Sequence, residues 1–385
     1  MPGKGTVTAL LATTYQWFRM LEERKEICAI FFDYRKAFDT VPHKLLLDKL
    51  CQFGINEKII LWVANYLTNR QQNVVLNGVM SDSVDVLSGV PQGSVLSPLL
   101  FIIYVNDLAS LSLSGNSQIV LYADDLVLYR PISTPNEYHI LQNDINTIEN
   151  WTLSNCLQFN ILKCKYMVIY RRRNPEKHNP LLLLNGEPIE RVETFKYLGI
   201  LLSTDLSWSR HIDSVCSRAK RILGLLYRQY YNHVGSEVIK QLYISLVRPH
   251  LEYACTVWDP HTRKDKESLE RVQKFACRLA TKRWDAGCNE LYDLLNLPSL
   301  AHRRTHLKLC QLYKIIYGLC YFPEDIFTNR SNSICRSVNP KALLQPFART
   351  NSYYYSFVPH TINLWNSLGV DQVTAVSLSS FKRKI

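Results

Sequence analysis

The chain has 385 residues, 47% of them apolar, which allows two or three folded domains and excludes a disordered protein. No apolar run approaches the ~20 residues of a membrane-spanning helix, and the start, MPGKGTVTALL, lacks the layout of a secretory signal, so an intracellular site, nucleus or cytoplasm, is expected. The net charge of +12 is uneven: residues 1–160 hold 11 Lys and Arg against 15 Asp and Glu, residues 161–385 hold 34 against 18, and so basic a second part points to a polyanion, most simply nucleic acid, ahead of a merely solubilising surface.

In chain order, apolar periodicity predicts a helix over 8–25, with Leu10, Leu11, Tyr15, Phe18 and Leu21 in phase. ICAIFFD (27–33) is a short β-like run that ends in a carboxylate. Helices follow over 44–53 and 57–66, divided at Gly54. Strands over 72–76 and 84–87 flank the turn formers Asn77 and Gly78. SGVPQGSVLSP (88–98) is rich in turn residues and leads into an apolar helix through Leu108. Residues 118–129 are apolar on both sides of Asp124-Asp125 and read as a hairpin with both acids at its turn. A helix over 141–155, a strand over 166–170, an exposed loop (RRRNPEKHNP) and a strand over 195–202 (FKYLGILL) come next. Beyond Trp208 the period is helical, over 211–231, 237–246, 264–284 and 300–317. An α+β part is thus followed by a mostly helical one, with the boundary near residue 204. The 11 cysteines follow no repeating frame and suit reduced core residues. His302, His306 and Cys310 share a helical face, but without the usual zinc spacing an ordinary amphipathic helix is favoured.

Three aspartates end or interrupt strand-like apolar runs: Asp33, Asp124 and Asp125. An Asp-Asp pair is most often a plain turn. Here the flanks are strongly β-prone, so the pair would close a buried hairpin, where like charges repel and lose hydration. A hard divalent cation such as Mg²⁺ relieves that penalty. A strand-end acid beside a hairpin acid suits two ions ~4 Å apart, the arrangement used for in-line displacement at phosphorus.

FFDYRKAFDTVPH (31–43), SGVPQGSVLSPLLFIIYVNDL (88–108) and LYADDLVLY (121–129) occur in that order. Together they resemble the palm of a reverse transcriptase of LINE-type, non-LTR retrotransposons. NILKCK (160–165) and FKYLGILL (195–202) resemble the next two palm motifs, and SWSRHIDSVCSRAKRILGLLYR, LVRPHLEYACTVWDP and ERVQKFACRLA resemble the downstream thumb. A lone Y-A-D-D is weak; five ordered motifs are specific. The resemblance implies a right-hand polymerase palm, an antiparallel sheet with flanking helices, over 27–204 with a finger-side insertion at about 44–87. It implies a helical thumb over 205–285 and a helical C-terminal region over 286–385. Residues 1–26 would be a remnant of the fingers, in a chain truncated at its N-terminus. The implied partners are an RNA template, a DNA primer and dNTP, with two Mg²⁺, or Mn²⁺, as cofactor and no membrane.

Roles implied by the resemblance follow the motifs. Asp33, Asp124 and Asp125 hold metal, with the Tyr34 carbonyl as a further ligand. Phe38 crowds the sugar 2′ position, against the competing reading of a plain core aromatic. Gln92 and Gly93, with Tyr122, lie against the incoming nucleotide, and glycine there permits close backbone approach. Lys163 protonates the pyrophosphate leaving group, or is a surface lysine. Tyr197, Leu198 and Gly199 form the primer-grip hairpin. Asp39 is expected to be structural, capping the following segment. Arg218, Lys220 and Arg221, with Arg171 to Arg173, Lys282/Arg283 and Arg303/Arg304, are expected to track duplex phosphates. Two alternatives stay open: a catalytically inactive remnant that only binds nucleic acid, and another palm enzyme such as a nucleotide cyclase, which needs neither a P-Q-G turn nor a primer grip.

Overall fold

In the computed structural model the chain runs from α1 (Thr6–Glu22) into β1 (Glu26–Phe32), and residues 3–171, 180–323, 326–328 and 339–385 are described. One compact unit spans Lys25–Glu193; the other joins Met1–Arg24 to Thr194–Ile385.

In the first unit, β1 is followed by α2 (His43–Gln52), α3 (Glu57–Leu67) and four two-residue strands: β2 (Gln71–Gln72), β3 (Val75–Leu76), β4 (Val79–Met80) and β5 (Val84–Asp85). Then come α4 (Ser97–Val105), β6 (Gln118–Tyr122), β7 (Asp125–Ile132), α5 (Asn136–Ser154), β8 (Lys165–Ile169), β9 (Leu183–Leu184), β10 (Glu187–Pro188) and β11 (Glu190–Arg191). A five-stranded sheet has the order β11-β8-β1-β7-β6, and β1 pairs antiparallel with both β7 and β8. A strand paired on both edges needs apolar residues throughout, which is why 27–32 reads as one continuous run. Cys28, Ile30 and Phe32 alternate onto the face that packs on Leu100, Phe101 and Tyr104 of α4 and Leu141, Ile145 and Ile148 of α5. Burying each large side chain there contributes about 1.5–3 kcal/mol. Buried Lys49 pins α2 to this layer: its Nζ donates to the Tyr104 carbonyl at 2.6 Å and pairs with Asp107 at 2.8 Å. The α+β reading therefore holds, with helices flanking the sheet, but the sheet is not wholly antiparallel: its edge strand β11 pairs with β8 in parallel.

Three readings need correction. The run 72–76 is not one strand. The Ser81 hydroxyl accepts the Val74 N–H at 2.9 Å, which separates β2 (paired with β5) from the β3–β4 hairpin around Asn77 and Gly78. The strand over 84–87 shortens to Val84–Asp85. The run 195–202 is two strands, β12 (Thr194–Tyr197) and β13 (Ile200–Ser203), because Leu198 and Gly199 turn the chain at φ +44° and +85°. Of RRRNPEKHNP, residues 172–179, Arg172 and Arg173 among them, lie outside the described residues.

The second unit carries β12, β13 and a series of helices: α6 (Ser209–Tyr230), α7 (Ser236–Leu242), α8 (Arg248–Glu252), α9 (Cys255–Trp258), α10 (Arg263–Thr281), α11 (Cys288–Leu295) and α12 (Leu300–Ile316), with shorter ones to Lys384. The helix expected over 237–246 changes to a π-turn at Tyr243–Val247 just before Pro249, whose missing N–H disturbs the regular ladder. The helix expected to reach Trp284 stops at Thr281, where Lys282 turns to φ +60°. No described helix is long and apolar enough to cross a membrane. His306 and Cys310 touch on α12, Nδ1 to Sγ at 3.6 Å.

Candidate active site

Asp33 is the first residue beyond β1. The β1–β7 ladder pairs Phe32 with Leu126, so its next step sets Asp33 opposite Asp125. Asp125 opens β7 and pairs with Tyr122, leaving Ala123 and Asp124 as a two-residue turn. Only Asp124 is thus in the turn proper. Ala123 takes φ +52°, a region that costs an L-residue roughly 1–2 kcal/mol. Apolar pairing on both sides, Leu121 with Leu126 and Val120 with Val127, holds the strained turn in place.

Three carboxylates from two neighbouring strand ends therefore converge. Partial burial, then the negative charges of Asp124 and Asp33, together raise the Asp125 pKa to about 6. Asp33 is fixed through its backbone: its carbonyl accepts the Asn160 N–H at 2.7 Å, and its N–H reaches Cys164 Sγ at 3.4 Å. The same 160–164 turn carries Lys163, whose Nζ lies 3.4 Å from Asp33 Oδ2. That oxygen is screened from water and makes no hydrogen bond. Lys163 itself is 65% exposed, so solvent weakens the pairing. The Tyr34 ring is buried on Phe159 at 4.8 Å, so only its backbone is left for the site.

The donors suit a hard divalent cation: all are carboxylate oxygens, they repel one another, and one oxygen lacks a hydrogen bond. Among the described residues no three acidic, His or Cys side chains close into a ready-made cage. Mg²⁺ commonly binds one or two carboxylates together with substrate phosphates and does not need such a cage.

The P-Q-G turn docks on the segment that follows Asp33. Gly89 N–H donates to the Val41 carbonyl and Val90 N–H to the Phe38 carbonyl, each at 2.8 Å. Close backbone approach occurs at Gly89 (φ +89°), where a Cβ would lie 2.7 Å from Asp39 Cα. Nothing in the protein lies within 4 Å of a Cβ on Gly93, which takes φ +79°, a conformation that favours glycine. Phe38 stacks on Phe101 at 4.6 Å and is half-buried. Asp39 is not a helix cap. Pro42 holds the cap position of α2, and the Asp39 carboxylate accepts the Gln92 Nε2–H at 2.8 Å. Tyr122 is half-buried opposite Asp125.

Tyr197, Leu198 and Gly199 belong to the other unit, where they form the β12–β13 turn. Tyr253 donates its hydroxyl to the Leu198 carbonyl at 2.9 Å, and a Cβ on Gly199 would strike its ring at 2.8 Å. His211 Nδ1 accepts the Leu201 N–H at 3.2 Å. Trp258 connects the two supports, packing edge-on to His211 and donating Nε1–H to the Tyr253 carbonyl at 2.8 Å. Burial, and then the Arg218 charge, lowers the His211 pKa to about 4, so the ring stays neutral and able to accept.

Arg218, Lys220 and Arg221 are exposed on α6. Arg171 is also exposed. Arg283 pairs with Glu290 at 2.5 Å, and Lys282 lies over the Tyr231 ring at 5.4 Å. The Arg303/Arg304 cluster is not a phosphate track. Arg304, 1% exposed, pairs with Asp259 at 2.7 Å, and Arg303 grips Glu252 through Nε and Nη2. Helical phase turns both residues inward to bury the charges of Asp259 and Glu252. Sequence reasoning missed Tyr253 and His211, since a lone tyrosine or histidine on a helical stretch gives no signal.

A profile of the family described as "Reverse transcriptase (RNA-dependent DNA polymerase)" matches residues 3–202. A probable RNA-directed DNA polymerase from transposon X-element of Drosophila melanogaster is 27% identical over 70% of this chain and 30% of its own length. The RNA-directed DNA polymerase from mobile element jockey of Drosophila funebris is 25% identical over 74% of this chain and 31% of its own. The Pol polyprotein of type-1 retrotransposable element R2 from Popillia japonica is 28% identical over 46% of this chain and 30% of its own. The chain thus spans about 30% of the length of the curated relatives it matches. Apo telomerase from Candida tropicalis has a TM-score of 0.41 at 12% identity, covering 82% of this chain and 54% of that one, a likeness too weak to carry an inference.

Proposed function

The chain belongs to the reverse transcriptase (RNA-dependent DNA polymerase) family, with non-LTR retrotransposon polymerases among its relatives, and from that premise we propose that it extends a DNA primer on an RNA template. The observation that supports this best is the convergence of Asp33, Asp124 and Asp125 at adjoining strand ends, where burial and then mutual repulsion raise the Asp125 pKa.

Asp33, Asp124 and Asp125, with the Tyr34 carbonyl, would hold two Mg²⁺ or Mn²⁺. When bound, these ions activate the primer 3′-hydroxyl and neutralise charge that develops at the α-phosphate of the dNTP. Lys163 would give a proton to the departing pyrophosphate, a role its 3.4 Å distance from Asp33 supports. Phe38, braced by Phe101, packs on the sugar and disfavours a 2′-hydroxyl. Gln92, Gly93 and Tyr122 face the nucleotide. Tyr197, Leu198 and Gly199 hold the primer, and the exposed Arg218, Lys220 and Arg221 bind phosphates without reading sequence. Residues 27–204 act as palm, 205–285 as thumb and 286–385 as a helical C-terminal region.

The test is primer extension on an RNA template with Mg²⁺. The parent chain is expected to incorporate dNTP and the Asp124→Asn variant to lose incorporation. Equal extension by both, or none by the parent at any Mg²⁺ or Mn²⁺ concentration, rejects the reading.

A further inference from the structure

We propose that Asp39 is the positioning residue for Gln92, fixing which end of that carboxamide meets the incoming nucleotide. The inference rests on the reading of Gln92 as a nucleotide contact. It begins with a seam between two loops far apart in sequence. Residues 38–43 and 88–92 are joined by Gly89 N–H to Val41 O, Val90 N–H to Phe38 O, the Ser88 hydroxyl to Asp39 O at 3.0 Å, and His43 Nε2–H to Gly89 O at 2.8 Å. These contacts end on main-chain carbonyls and set the backbone path. The Asp39–Gln92 bond is different in kind: it joins two side chains, and it reaches the turn residue exposed at the tip.

The chemistry of that bond is directional. A carboxylate only accepts, so the Gln92 amide must turn its nitrogen toward Asp39 Oδ1. Its Oε1 then points the other way and is available as an acceptor. Without Asp39 the exposed carboxamide can present either end, and part of its binding strength is spent on orientation. Gly89 makes the contact feasible. It is buried and lacks a Cβ that would otherwise strike Asp39 Cα at 2.7 Å, so the two loops can lie close enough for a 2.8 Å bond. Asp39 is therefore placed six residues after Asp33 for a purpose separate from metal binding: it carries the loop that follows the first acid onto the loop that contacts the nucleotide.

The experiment uses the whole chain on an RNA template whose primer ends in a dideoxynucleotide, so that no chemistry occurs. The apparent Kd of the next dNTP is read from retention of the ternary complex, and the Kd of the primer–template is measured beside it. Asp39→Ala and Gln92→Ala are each expected to weaken dNTP by about 3- to 10-fold, the range of one ordinary hydrogen bond. Primer–template affinity should stay within about twofold, and the double variant should bind dNTP no worse than Gln92→Ala alone. Asp39→Asn, which can either accept or donate, should fall between Asp39→Ala and the parent. Normal dNTP binding by Asp39→Ala beside weakened binding by Gln92→Ala overturns the positioning role. So does a double variant whose loss is the product of the two, or an Asp39→Ala that weakens primer–template equally. Normal dNTP binding by Gln92→Ala rejects the nucleotide contact itself, and Asp39's role with it.

Discussion

The two units of this chain treat charge in opposite ways. Residues 25–193 carry 15 Lys and Arg against 17 Asp and Glu, while the rest of the chain carries 30 against 16. In the first unit, like charges are gathered at adjoining strand ends, and Lys163 offers one half-solvated counter-charge. In the second, opposite charges are paired and sealed: Asp259 lies between Arg304 and Lys308, each 1% exposed, at 2.7 and 2.6 Å. The first arrangement is unfavourable by itself and suits a cation from outside. The second pairs its carboxylate with two cations of the protein itself.

If that contrast is right, removing an acid has different consequences in each unit. Asp33→Asn should lower primer extension by about 1,000-fold or more, the several kcal/mol that metal-assisted charge stabilisation supplies, while the melting temperature holds or rises because repulsion is relieved. A melting temperature that falls sharply would make Asp33 a structural residue. Asp259→Ala should do the reverse. It leaves Arg304 and Lys308 buried without their partner, at a cost of ~3–5 kcal/mol, read in urea denaturation; an unchanged midpoint would show the triad to be dispensable.

Acid sharpens the comparison further. His211 titrates at about 4 when folded, held down by burial and then by Arg218, against ~6.5 when unfolded. Its folded pKa is depressed and its neutral form is the folded one. Its stabilising contribution is therefore complete above pH 6.5 and lost as pH falls toward 4, a change of at most about 3 kcal/mol. His211→Asn, whose side-chain oxygen can accept the Leu201 N–H in place of Nδ1, should flatten the melting curve of the helical unit over that window. An unchanged slope would remove His211 from the account. The smallest effect is expected from Tyr253→Phe, which loses one exposed hydrogen bond to Leu198 O. Primer affinity should fall about two- to fivefold, with dNTP affinity unmoved.

The palm was legible because two periods are written plainly in it. The continuous run at 27–32 read as a strand, which the structure pairs on both edges, and the apolar flanks around Asp124 read as a hairpin. The acids were legible because they break those runs. What stayed hidden depends on contacts across long separations. Asp39 looked like a cap because its partner is 53 residues away. Arg304 looked like surface because nothing in its neighbourhood announces Asp259, 45 residues earlier. The residue pattern ran through the turn at Leu198-Gly199 as strand, though the family resemblance implied a hairpin there, because Tyr253, which supports the turn, belongs to a distant helical segment.

The hairpin that carries Asp124 has a consequence for how this stretch can vary over generations. Its turn holds only Ala123 and Asp124, so it has no slack. Exchanging Val120 for isoleucine, or Leu128 for valine, alters packing by a methyl or so. Inserting one residue instead shifts one strand by a step and turns every following side chain to the other face. Asp125 would then leave its place opposite Asp33. This stretch can therefore change its letters but not its length, since a gap inside it would part Asp125 from Asp33.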